Sequence, residues 1–442
     1  MKHKKMLLLT FLITTLVLCA CSTKNPSMME STSATTATSN TDAHTYPSET
    51  ETTEPAPNKY SVQLTDASAF SDGVAWVRYT DPYGVRRVGL LHTDGNVHPL
   101  DVIGPDSYFG SDFSVGYSYV NLADTFIIID DLGSIAVQGP EDGSYEIVAG
   151  GDGIYLVHQE AKGFDVNEDR YGFIDVNGNW ILEPTTELPL ADPKHDLPSF
   201  SYMGEHIFTS ADRGFHFHMY NVDTGDSYYV YDIEETGHFY NGIGMIADTE
   251  LVYTINTNFE TTELFSSHGD IYYSEGIIFR NSQIYKDGDY HDITRFYDTD
   301  GEVLIDLSEY KLCRTNADGN FYRFQNGAAA VCIEGADYEE YITLIDLGGN
   351  FLVEPMRYHT VQGFGINMKP HGTYSDGMLF VRGEEDAVIL CSDGTVQSAN
   401  CGFGNMHISE IRFSDGYAWY ESNDGCWFVN PNGEQLWAYI LE

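Results

Sequence analysis

One short phrase returns again and again along this chain, and it limits the fold more than any other feature. The phrase is clearest in Ala69-Phe70-Ser71-Asp72-Gly73-Val74-Ala75-Trp76-Val77. It returns in Thr373-Tyr374-Ser375-Asp376-Gly377-Met378-Leu379-Phe380-Val381 and in Arg412-Phe413-Ser414-Asp415-Gly416-Tyr417-Ala418-Trp419-Tyr420. Looser copies are centred on Gly116, Gly153, Gly204, Gly242, Gly276 and Gly327. The mean interval is about 43 residues, within the range that marks a repeat architecture. Each unit therefore has to be one supersecondary element that completes its core against its neighbours.

A second phrase completes the unit. The best copy is Tyr171-Gly172-Phe173-Ile174-Asp175-Val176-Asn177-Gly178-Asn179-Trp180-Ile181-Leu182-Glu183-Pro184. Related stretches run over Val88–Gly95, Thr343–Gly349 and Trp427–Gly433. A short apolar strand enters Asp-x-x-Gly, the glycine supplies positive φ for a tight hairpin loop, and another strand leaves. Ser-Asp-Gly reads as punctuation at the start of the unit's first strand, with the Asp side chain bonding its own backbone. No long stretch has helical period, so the chain is expected to be all-β. About 43 residues suits three or four strands with turns, the size of a propeller blade. The expected fold is a β-propeller of seven to nine blades, with an open β-solenoid as the alternative. Closure is expected where Tyr60–Leu64 meets the strand near Trp437–Leu441, because a ring must hide both edges.

Together the two phrases resemble the WG repeat family. The resemblance spans most of residues 59–442 and fades between about 200 and 300. No Trp-Gly pair occurs; Tyr171-Gly172 and Val88-Gly89 stand in its place. The resemblance implies an all-β repeat domain and, since many such proteins are displayed on bacterial surfaces, a binding or scaffolding role.

The first residues carry an address. Lys2, Lys4 and Lys5 precede an apolar run from Met6 to Ala20, which ends in Leu18-Cys19-Ala20-Cys21. This order is similar to the lipobox of bacterial lipoproteins. A basic start, a short apolar stretch and a small residue before the cut read as a secretory signal over residues 1–20. The run is shorter than the roughly 20 residues of a membrane span. The resemblance implies lipidation of Cys21 and attachment to the outer face of the cell membrane. Residues 21–58 are rich in Ser and Thr with scattered prolines and lack large apolar clusters. Such a segment cannot offset its ordering entropy, so it is expected to act as a tether.

The chain has 22 Lys+Arg against 67 Asp+Glu, a net charge of −45. Phosphate-rich partners need Lys and Arg, so nucleic acid is excluded as a partner. The membrane contact is expected through the lipid on Cys21, not through the folded surface. Cysteines are late: Cys313, Cys332, Cys391, Cys401 and Cys426. Cys391 and Cys401 lie close enough in sequence to close a loop, and no CxxC or Cys/His zinc spacing occurs.

Catalytic signatures are absent from the sequence: there is no His-Glu-x-x-His, Gly-x-Ser-x-Gly or phosphate loop. No cofactor, metal ligand set or catalytic residue is expected. Asp298-Thr299-Asp300-Gly301-Glu302 resembles part of a calcium loop but sits where the repeat places its hairpin, so turn chemistry is expected. His216 and His218 share a strand face without a recognisable third ligand. The 31 Tyr, 24 Phe and 5 Trp are expected mostly to fill the sheets. Trp76 and Trp419 hold equivalent repeat positions and are expected to be structural. The one insertion with polar residues is expected around Leu188–Ser199. Function narrows to a surface-displayed module that binds protein, peptide or glycan. The alternative is an extracellular enzyme acting on glycans or cell-wall polymers.

Overall fold

The computed structural model describes residues 59–441. The exceptions are 142–143, 162–168, 191–198, 212–215, 287, 314–319, 358–361, 364–365, 368–371, 383–386, 399–410 and 423–424. Cys21, the signal and the tether lie outside the described residues. The described residues contain no helix, and their strands form nine blades of a β-propeller. This is the upper end of the expected range. Most blades are antiparallel sheets of three or four strands in sequence order. Blade 3 is representative, with strands Tyr145–Gly151, Ile154–Gln159, Arg170–Asp175 and Trp180–Thr185. The region where the repeat fades holds three complete four-stranded blades, from Ser199 to Asp306.

The ring closes on blade 1. Lys59–Ser61 pairs antiparallel with Tyr439–Leu441, with Tyr60 opposite Ile440. Tyr439–Leu441 then pairs in parallel with Asn96–Pro99, the outer strand of the Gln63–Ala67, Val74–Thr80, Arg86–His92 meander. First and last described strands thus seal one sheet edge, as the need to hide both ends demands.

The core lies in layers between blades. Trp76, Leu90 and Val88 of blade 1 pack with Phe113, Ile127 and Ile129 of blade 2. Phe70, Val77 and Tyr79 of blade 1 pack with Phe428 of blade 9 across the closing boundary. Blades 6, 7 and 8 share one larger layer that includes Phe279, Cys332, Ile342 and Tyr374.

The two phrases mark different turns. Gly178 has φ +80°, and its N–H donates to the Asp175 carbonyl. Asp175 Oδ1 accepts from the Asn177 and Asn179 amides at 2.9 and 2.8 Å. The same construction holds Asp298-x-x-Gly301, where Asp298 Oδ1 accepts from the Asp300 and Glu302 amides. Gly178→Val is expected to cost about 1–3 kcal/mol, because a β-branched side chain is forced into the left-handed region. Thermal melts of the two chains check this; an unchanged midpoint would reject the strained-turn account.

Ser-Asp-Gly differs from expectation. It does not open the first strand but joins the first strand to the second. Asp72, Asp376 and Asp415 have φ of 53°, 52° and 48°, each followed by a positive-φ glycine. Two consecutive left-handed residues make the two-residue hairpin turn whose twist suits antiparallel strands. The Asp carboxylate leaves its own backbone and reaches the next blade. Asp72 Oδ2 accepts from Gly116 N at 3.0 Å, Asp376 Oδ2 from Gly416 N at 2.8 Å, and Asp415 Oδ2 from Gly73 N at 2.9 Å. Glu205 accepts from Gly242 N at 2.7 Å, and Glu275 from Asn326 N at 2.8 Å. The serines reach the same neighbouring blade with donor and acceptor reversed: Ser71 Oγ donates to Phe113 O, and Ser414 Oγ to Phe70 O. Charge-assisted bonds of this kind are the stronger hydrogen bonds.

Candidate functional site

Blade 7 departs from the repeat. Its first strand is split into Lys311–Leu312 and Phe324–Gln325, both paired to Ala328–Glu334. The break opens a cavity of about 900 Å³ between blades 6 and 7. The sequence-predicted insertion is elsewhere: Leu188 and Leu190 are buried in the layer between blades 3 and 4, and 191–198 lie outside the described residues.

One wall of the cavity is aromatic. Tyr272 stacks on Phe279 with centroids 5.8 Å apart and planes at 5°, and Phe279 stacks on Tyr322 at 4.6 Å and 11°. The Arg323 guanidinium lies 4.8 Å from the Tyr272 ring centre and 3.7 Å from Glu235 of blade 5. Burial raises the Glu235 carboxyl above its ordinary range, although Arg323 opposes the shift. Tyr322 donates its hydroxyl to the Cys332 carbonyl at 3.1 Å, which holds the split strand against its neighbour.

The opposite wall is polar. Asn281 Nδ2 donates to Asp270 at 3.2 Å, Thr294 Oγ1 to Asn281 Oδ1 at 3.2 Å, and Gln283 Nε2 to Asp292 at 2.8 Å. These bonds fix the side chains in place before any ligand arrives. Ser282 also lines the cavity, and its residue is 7 % exposed. Its Oγ is buried and has no hydrogen-bond partner among the described residues. A buried hydroxyl without a partner costs free energy, so such a group at a cavity wall marks a place for a ligand or water.

The other sequence candidates fall elsewhere. His218 packs on Tyr229 with ring centres 4.0 Å apart, opposite it across the strand pair. Trp76 is 1 % exposed. Trp419 is half-buried against Phe428. Cys391 is a buried thiol, and Cys401 lies outside the described residues. A second charged cluster sits in blade 3, where His158 contacts Glu146 at 2.9 Å and Asp169 at 3.4 Å. Burial works against charge on that imidazole, but the two carboxylates outweigh it and raise its pKa.

The family model described as WG containing repeat matches residues 171–185, the third and fourth strands of blade 3. No curated protein matches the chain significantly. Among solved structures, the computationally designed Ika8 protein is 13% identical with a TM-score of 0.37, covering 76% of this chain and 98% of that one. BamB from Moraxella catarrhalis is 12% identical with a TM-score of 0.31, covering 64% and 84%. Kluyveromyces lactis Hsv2p is 9% identical with a TM-score of 0.31, covering 86% and 97%. None of these three lends the chain a role.

Proposed function

We propose that this chain is a surface-anchored lipoprotein, attached to the membrane through lipid on Cys21, whose propeller binds a glycan in the cavity between blades 6 and 7. The observation that carries the reading is the buried, unpartnered Ser282 hydroxyl in the wall of a cavity of about 900 Å³. The rest of the lining suits a sugar. Tyr272 and Tyr310, half-buried in the lining, offer aromatic surface, and the orientated Asp270, Asn281, Gln283 and Asp292 supply hydroxyl partners. The volume lies within the range of small-ligand pockets. Binding without turnover is favoured because both acidic side chains are already engaged by amides.

The test is a glycan and peptide array probed with the mature chain, followed by titration of the hits. A glycan hit weakened about tenfold by Asn281→Ala supports the reading, since each hydrogen bond lost costs about 0.5–1.5 kcal/mol. Binding confined to peptides would reject the ligand class. Hydrolysis of a bound glycan, abolished by Asp270→Asn in a folded chain, would replace binding by catalysis. Loss of fatty-acid labelling in Cys21→Ala checks the anchor.

A further inference from the structure

Cys313 and Cys332 are 19 positions apart and, in sequence, look unrelated. The split strand of blade 7 brings them together. Leu312 pairs with Ile333 in register, and Cys313 N–H donates to the Cys332 carbonyl at 3.1 Å. The two cysteines are therefore directly opposed and point to the same face of the sheet. Glu340 reaches that face from the next strand, Glu340–Asp346, where Cys332 is paired with Ile342. The two thiols and a Glu340 carboxylate oxygen all lie within 4.8 Å of one another. Both cysteines are buried, Cys332 completely.

We propose that Cys313, Cys332 and Glu340 form a binding site for a thiophilic divalent cation, zinc first. Three protein ligands from three adjacent strands leave the fourth tetrahedral position to water or to an oxygen from a ligand, the pattern of an open zinc site. Two soft sulfurs with one carboxylate suit zinc and not calcium or magnesium, which take oxygen ligands. A tetrahedral zinc places sulfur ligands roughly 3.7 Å apart at a Zn–S distance of about 2.3 Å, inside the spacing found. Binding displaces both thiol protons to solvent, so affinity rises with pH. Tyr322 donates to both the Cys313 and Cys332 carbonyls and holds the pair as an outer partner. Glu334 faces Glu340 directly across the ladder. Opposed carboxylates favour a nearby cation, and Lys311 already serves Glu334 at 2.8 Å. Cys313 also lines the cavity, so the metal would border it.

A cross-strand disulfide is the competing fate of two opposed cysteines, since their Cα spacing of about 5.5 Å is compatible with one. The third ligand favours the metal, because a disulfide gives Glu340 no part. The inference does not rest on the glycan reading: its readout is the metal itself. The reduced full chain is titrated with zinc alone, and with cobalt(II) alone as the spectroscopic probe. One equivalent is expected to bind, with thiolate-to-cobalt charge-transfer absorption and release of protons. Cys313→Ser is expected to cut the absorption to that of a single thiolate and to weaken zinc by more than the roughly 10–100-fold that removal of an outer partner costs. Glu340→Gln, on a half-exposed side chain, keeps the test open if a cysteine variant fails to fold; weaker binding with the absorption retained is expected. Cys391→Ser is expected to bind as the parent does. A folded chain that gives no charge-transfer absorption, or a Cys313–Cys332 disulfide in protein taken directly from the cell, would overturn the proposal.

Discussion

A chain that stops after Trp437 is expected to unfold at a much lower denaturant concentration than the full chain, and over a broader range. The removed residues include Tyr439–Leu441, which lies between Lys59–Ser61 on one side and Asn96–Pro99 on the other. They also include Ala438, which is 4 % exposed in the layer between blades 9 and 1. Bonds beyond the ladder are lost as well: Val62 N–H to Ala438 O at 3.0 Å, and Tyr439 N–H to Gly95 O at 2.8 Å. At about 1 kcal/mol for each backbone bond, the loss is on the order of 5 kcal/mol. That is a large share of the roughly 5–15 kcal/mol by which a domain is stable. The exposed edge of blade 1 would also invite pairing with other chains. Denaturant melts and light scattering check both effects. A truncated chain with the parent's midpoint would show that the strand is ornamental.

The second large effect is at Trp76. Its indole N–H donates to the Ser111 carbonyl at 2.9 Å, and its ring packs against Phe109 and Phe113 of the next blade at 6.2 and 6.0 Å. Trp76→Ala removes a large, fully enclosed side chain from a layer that cannot collapse without moving a blade. The expected cost is about 3–5 kcal/mol. Trp419→Ala, at the matching position of blade 9, is expected to cost less than half as much, because that ring is only half-buried at the margin of the layer between blades 9 and 1. The two melts together separate repeat position from burial. Equal losses would mean that position alone decides.

Local patterns made the all-β class, the unit length and the closing strands readable. Asp175-x-x-Gly178 is legible because its hydrogen bonds run two and four residues along the chain, within any sequence window. Gly172 is legible from Tyr171-Gly172 and its counterpart Val88-Gly89. A Cβ there would meet the Leu182 carbonyl at 2.5 Å and Pro184 N at 2.7 Å, where the fourth strand bulges against the third. The destination of Asp72 was not legible. Its carboxylate can serve a near amide or one 44 positions away, and only the blade-to-blade angle selects Gly116. Blades 4 to 6 fade in sequence for a related reason. Glu205 and Glu275 replace the short Asp with a longer side chain and still reach the neighbouring turn, so the bond survives while the motif does not. The cavity was hidden because it arises from a break in a strand, and the interval from Gly276 to Gly327, 51 positions, equals that from Gly153 to Gly204 and so does not single out blade 7. Cys313 and Cys332 were hidden with it.

The one-way run of carboxylate to glycine amide has a consequence for pieces of this chain. Where a turn carboxylate meets the next turn's amide, between blades 1 and 2, 4 and 5, 6 and 7, 8 and 9, and 9 and 1, the contact is heterologous, with an acceptor on one blade meeting a donor on the next. Nine steps of about 40° return the last acceptor to the first donor, which is the condition for a closed ring in place of an open filament. A fragment holding only some blades keeps one edge of each kind, both unsatisfied. Such fragments are matched head to tail, so two halves cut at an exposed turn carry complementary ends, and copies of a single half carry the geometry to polymerise.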